Sequence, residues 1–156
     1  MKVLKGIGVF KGIAFGKLHM FEKKTCTIEK REISNAENEL KRYKSANDIA
    51  VRELGDLYNK ALKDVGEENA MIFQIHQMML EDMDLVCFIE NLIETQMVNA
   101  EYAVSEAARK FSMMFAAMDD EYMRQRSSDV KDVCQRLICA LISSRSESNA
   151  KSKLSY

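Results

Sequence analysis

The chain has 156 residues, 47% of them apolar, and a net charge of -1 from 23 basic and 24 acidic side chains. That is enough for one helical core, and the charge balance gives no global reason to expect nucleic acid or an anionic membrane surface as a partner. No window approaches the ~20 apolar residues that span a bilayer, and the start MKVLKGIGVF lacks a signal-peptide core, so no membrane insertion and a cytosolic location are expected.

Residues 1 to 33 differ from the rest. Gly6, Gly8, Gly12 and Gly16 alternate with β-branched and aromatic residues, a pattern that predicts short strands. From Ser34 the period becomes helical. Ser34 and Glu37 form a capping-box signature, and the apolar seam that follows runs through Ala36, Leu40, Tyr43, Asn47, Ala50, Leu54, Leu57 and Ala61. Asn47 on this seam either fixes register through a buried hydrogen bond or turns to solvent.

Gly66 supplies a stop before a second helix, in which Met71, Ile72, Ile75, Met78 and Met79 lie on one side while Phe73 and Leu80 lie on the other. An apolar arc this wide means a helix wedged between two layers or one with a docking face. The residues alone favour the wedge. A third helix is predicted over DLVCFIENLIETQ. A fourth starts with Asn99 as cap and carries Ala103, Ala107, Phe111, Met114 and Met118. The last begins at Asp119 or Asp120 and turns Met123, Val130, Val133, Leu137 and Leu141 inward. Residues 144 to 156 are polar and predicted to be a solvated tail. The domain plan is thus a β segment at 1–33, a helical domain at 34–143 and a tail at 144–156. The fold class is mainly α, an antiparallel helical bundle with a short glycine-rich β segment.

Cys26, Cys87, Cys134 and Cys139 show neither a disulfide framework nor zinc spacing and read as free thiols. Eleven methionines and no proline suit long, adaptable helices, with most of the methionines expected in the core. Complete apparatus for chemistry is missing. In Gly6-Ile7-Gly8 the dinucleotide fingerprint fails at Lys11, and Gly16-Lys17 is followed by Leu18 where a phosphate loop needs Ser or Thr. His19 and His76 lack metal-site neighbours, so no metal or cofactor is expected in this chain. On residue type alone, His76 reads first as a structural or surface histidine.

Taken together, GIGVFKGIAFGK, GEENAMIFQIHQMMLED and DDEYMRQRSSDVKDV resemble, in order and spacing, the amino-terminal region of enzyme I of the bacterial phosphoenolpyruvate:sugar phosphotransferase system. The resemblance covers residues 1 to about 142. It implies an enzyme that moves a phosphoryl group from phosphoenolpyruvate to its own histidine and on to a histidine of the small carrier HPr, in the service of sugar uptake. The fold implied is the HPr-binding helical subdomain, which interrupts an α/β subdomain carrying the phosphohistidine; phosphoenolpyruvate and magnesium belong to a separate barrel. The Gly-Gly-x-x-Ser-His motif of the phosphohistidine is absent here, so neither His19 nor His76 takes that role, and the chain alone is expected to be inactive. Phe10-Lys11 stands where the family commonly has Ser-Pro.

The docking surface implied by the resemblance comprises Glu67, Glu68, His76, Met78, Met79, Asp82, Met83, Asp84, Leu85, Phe115, Met123, Arg126 and Lys131. An apolar centre would receive a hydrophobic face of HPr, and carboxylates at the rim would pair with its basic side chains. Residues 1 to about 20 would supply strand to a sheet whose other strands are missing, which leads to an expectation of self-association through this edge. The alternative reading is a stand-alone helical regulator or structural bundle that sequesters HPr or another partner.

Overall fold

The structure is a computed structural model, and it describes residues 12–13, 15–17 and 28–153, with side chains to residue 144. Five helices follow one another: α1 (Ala36–Asp64), α2 (Glu67–Leu80), α3 (Met83–Gln96), α4 (Ala100–Ala116) and α5 (Glu121–Lys153). The mainly helical expectation holds. Among the described residues there is no strand, only an antiparallel bridge between Glu32 and Val98. Most of the glycine-rich segment predicted to form strands lies outside the described residues.

The start of α1 differs by one residue from the capping box at Ser34. Asn35 is the cap, its Oδ1 accepting a hydrogen bond from the backbone N–H of Asn38 at 2.9 Å. Both residues can cap, and Asn35 is the one whose extended backbone aims its side chain at the first free amides. Asp120 takes the same part for α5, accepting from the Met123 N–H at 2.9 Å. At the other end, the backbone of α5 stays helical to Lys153 through most of the segment expected to be a tail. Neither proline nor glycine occurs there to stop it.

Between α1 and α2 the chain turns at Gly66, whose φ of 86° is a conformation that L side chains avoid. The two helices then lock in register through reciprocal bonds from side chain to backbone. Asn47 Nδ2 donates to the Leu80 carbonyl at 3.2 Å, and Gln77 Nε2 donates to the Val51 carbonyl at 2.9 Å. Asn47 therefore fixes register. It does so by satisfying a carbonyl in the last turn of α2 that has no partner within its own helix. Gly55, inside α1, makes room for this crossing, since a Cβ there would lie 3.1 Å from Gln77 Nε2.

The core joins Tyr43, Ala50 and Leu54 of α1 to Leu80, Ile89 and Ile93, to the alanine row Ala100, Ala103 and Ala107 of α4, and to Val133, Leu137 and Leu141 of α5. Small residues on α4 let α5 approach closely along most of its length. The methionines correct the sequence reading: among the described residues none is buried. Tight helix crossings are filled by alanine and branched side chains with few rotamers, and the flexible thioethers are left at the periphery.

Where the chain enters the bundle, residues 31–33 run beside 97–99, with Ile33 N–H bonded to the Met97 carbonyl and Asn99 N–H to the Arg31 carbonyl. A polar network secures this junction. Arg42 grips both oxygens of Glu101 at 3.0 and 2.8 Å, both oxygens of Glu39, and the Leu141 carbonyl on α5. Asn99 bridges Arg31 N–H to Glu101. Burial alone would raise the Glu101 carboxyl, but the bonds from Arg42 and Asn99 outweigh it and hold the group at about 2.

Candidate docking groove

The C-terminal half of α2, the start of α3, the end of α4 and the first turns of α5 do not close on one another. They leave an open, mainly apolar groove of about 430 Å³. Its floor is continuous with the core: Leu85, Val130 and Val133 are buried side chains whose remaining surface faces the groove. Ile75 and Met79 from α2 form one wall, and Phe111, Met114 and Phe115 from α4 form the other.

Eight of the thirteen residues assigned to docking from the sequence line this groove: Met78, Met79, Asp82, Asp84, Leu85, Phe115, Met123 and Arg126. Met78 is 66% exposed although it belongs to an apolar cavity, so the wide apolar arc of α2 is both a wedge and an open face. Phe73 and Leu80 turn toward the core while Met78 does not.

Charge surrounds the apolar centre. Asp82 caps α3, its Oδ1 accepting from the N–H groups of Asp84 and Leu85 at 3.0 and 3.1 Å, and both aspartates line the groove. On α5, the Arg126 guanidinium lies 4.5 Å from the centre of the Tyr122 ring, bonds the Tyr122 hydroxyl and donates to Asp129 at 3.1 Å. A guanidinium held on three sides is a positioned donor, not a loose surface charge.

The remaining five assigned residues do not line the groove. Glu67 and Glu68 are exposed in the first turn of α2, ten residues and so about 15 Å from Met78 along the helix. Glu68 still shares the stripe of Ile72, Ile75 and Met79. Met83 is 72% exposed beside the mouth, and Lys131 is exposed on α5. His76 is half-buried and faces α5. Burial lowers its pKa, with Asp129 and Asp132 pulling it up and Arg136 and Arg126 pushing it down. Its Nε2 is buried and has no hydrogen-bond partner among the described residues.

Six lining residues were not assigned from the sequence: Ile75, Phe111, Met114, Tyr122, Val130 and Val133. All but Tyr122 lie on faces that read as apolar in the sequence, and only the tertiary packing shows that those faces end in a groove. Tyr122 carried a legible signal, an aromatic four residues before Arg126 and therefore on the same helical face.

A model describing the N-terminal region of PEP-utilising enzymes matches residues 5–126. Phosphoenolpyruvate-protein phosphotransferase of Listeria innocua is 40% identical over 141 residues, covering 90% of this chain and 25% of the relative. The Bacillus subtilis protein of the same name is 39% identical over 137 residues, covering 88% and 24%. A solution structure of an enzyme I protein superposes with a TM-score of 0.71 at 34% identity, covering 78% of this chain and 49% of that one. The N-terminal domain of a nitrogen-type enzyme 1 shares the fold at the same TM-score of 0.71 and 24% identity. The chain spans about a quarter of the length of the curated relatives it matches.

Proposed function

Because the chain belongs to the family of PEP-utilising enzymes, as part of the N-terminal region of an enzyme I, we propose that it docks the histidine phosphocarrier HPr in the groove between α2, α4 and α5. The observation that carries this reading is the groove itself: an apolar centre left open beside Leu85 and Met79, lined also by Asp82, Asp84 and a fixed Arg126. An apolar centre with a charged rim suits a protein surface, since burial supplies affinity and the rim supplies orientation and encounter rate.

The groove's contribution to phosphoryl transfer is position. Holding the carrier's histidine beside a phosphohistidine supplied by the rest of the enzyme turns a bimolecular transfer into a local one. No residue of the groove is arranged as a nucleophile with its base, and His76 is packed against α5 with its Nε2 enclosed. Among the described residues no three His, Cys, Asp or Glu side chains converge, and the magnesium implied for the whole enzyme is assigned in this reading to its other parts. Among those residues, too, no helix is long and apolar enough to cross a membrane, and a cytosolic place in sugar uptake is part of the same reading.

Calorimetric titration with HPr tests it. Saturable binding at one site per chain, with no phosphoryl transfer from phosphoenolpyruvate, is expected; an absence of binding at millimolar carrier overturns it. Self-association through residues 1 to 33 is a separate proposal, supported by Ile13 and Phe15, which are 91% and 98% exposed. A monomer in sedimentation at structural concentrations counts against it.

A further inference from the structure

We propose that the groove is an oxidation-sensitive docking site, in which peroxide converts the thioethers of Met78 and Met114 to sulfoxides and so weakens partner binding, and reductive repair restores it. The proposal rests on the docking reading above and concerns its regulation.

Four of the groove's lining residues are methionines, Met78 and Met79 on α2, Met114 on α4 and Met123 on α5. Three separate helices thus present sulfur to one cavity. Met78 and Met114 are the accessible pair, 66% and 44% exposed, and a thioether needs access rather than deprotonation to react. The sulfur lone pair attacks one peroxide oxygen, the S–O bond forms as the O–O bond breaks, and the second oxygen leaves as water, taking up, through solvent, the proton that the attacked oxygen sheds. Sulfur is oxidised by two electrons and the peroxide is reduced by two.

The location makes the product costly for docking. A sulfoxide oxygen is a strong acceptor that water satisfies in the free protein and that a docked partner would strip of water. The groove offers little in exchange. Asp82 and Asp84 are carboxylates and only accept, and the donors are confined to the Arg126–Tyr122 edge, where Arg126 already gives two of its five N–H groups to Tyr122 and Asp129. No described methionine belongs to the buried core, so oxidation alters the docking surface without opening a core cavity. Exposed methionines away from the groove, Met71 and Met113 at 47% and 61%, provide internal controls of comparable exposure.

The test is titration with HPr of the untreated, peroxide-treated and sulfoxide-reductase-repaired chain, with sulfoxides located by peptide mass spectrometry. Dithiothreitol before each titration returns the exposed Cys87 and Cys139 to thiols without touching sulfoxides. Binding is expected to weaken roughly tenfold on oxidation, because two side chains no longer bury apolar surface against the partner, to recover on repair, and to weaken equally in Met71→Leu/Met113→Leu. Met78→Leu/Met114→Leu, compared with its own untreated form, is expected to weaken by less than about twofold. Unchanged affinity with both groove sulfoxides present, or an equal loss in Met78→Leu/Met114→Leu, overturns the proposal. Untreated protein that fails to bind HPr sinks the docking reading, and this proposal with it.

Discussion

Truncating Met78 to alanine separates the docking role of the groove from its packing role. Two-thirds of the Met78 side chain is exposed in the free chain, at 66%, and that fraction is what a partner would cover. Fully burying a methionine contributes about 1.5–3 kcal/mol, so covering this fraction is worth about 1–2 kcal/mol. With tenfold in affinity for each ~1.4 kcal/mol, Met78→Ala is expected to weaken HPr binding about five- to thirtyfold. The fold should barely notice, because the side chain lies outside the buried core and alanine is the better helix former, which keeps the stability change within about 0.5 kcal/mol. Met113, 61% exposed on α4 but outside the groove, is the matched control: Met113→Ala should leave affinity unaltered. Calorimetric titration reads the binding and chemical denaturation reads the stability. Affinity of Met78→Ala within about twofold of the parent, with the fold intact, would refute the placement of the partner.

Two further substitutions probe the rim and the junction. Glu68→Lys should slow association with HPr several-fold at low salt, with the difference shrinking as salt rises toward a Debye length of about 3 Å at 1 M; stopped-flow rates independent of salt would contradict a steering role. At the junction, Glu101 drops from 4.5 to about 2 on folding. Its folded pKa is the lower one, so its contribution of about 3 kcal/mol is present above pH 4.5 and is lost as pH falls toward 2. Glu101→Gln removes that slope and, by leaving Arg42 short of a partner, should lower stability at pH 7 by a similar ~3 kcal/mol. Denaturant melts from pH 7 to pH 2 that run parallel for the two proteins would show that the network carries no such linkage.

Elements with a strong local pattern were legible in the sequence. The seam of α1 appears as written, with Tyr43, Ala50 and Leu54 buried and Asn47 between them, because a period of three and four residues is a local property of the chain. Caps at Asn35 and Asp120 were legible to within one residue, since neighbouring polar side chains compete for the same free amides. The methionines were not. Hydrophobicity placed them inside, whereas the space at each crossing is set by which residues face each other across helices, and alanine and leucine occupied it. The Arg42–Glu101 network was equally hidden, because its members lie 59 residues apart and no local pattern joins them. The groove was half legible: residues on α2 and α5 were assigned, while the contribution of Phe111 and Met114 depends on where α4 ends relative to α5.

The most direct test of the docking account is an amide-shift titration of the isotopically labelled chain with unlabelled HPr. The account predicts shifts concentrated at Ile75–Leu85, at Phe111–Phe115 and at Tyr122–Val130, with residues near Gly66 and along the outer face of α1 unmoved beyond the rim effect at Glu68. Shifts gathered instead on α1, or a spectrum unchanged at millimolar carrier, would contradict it.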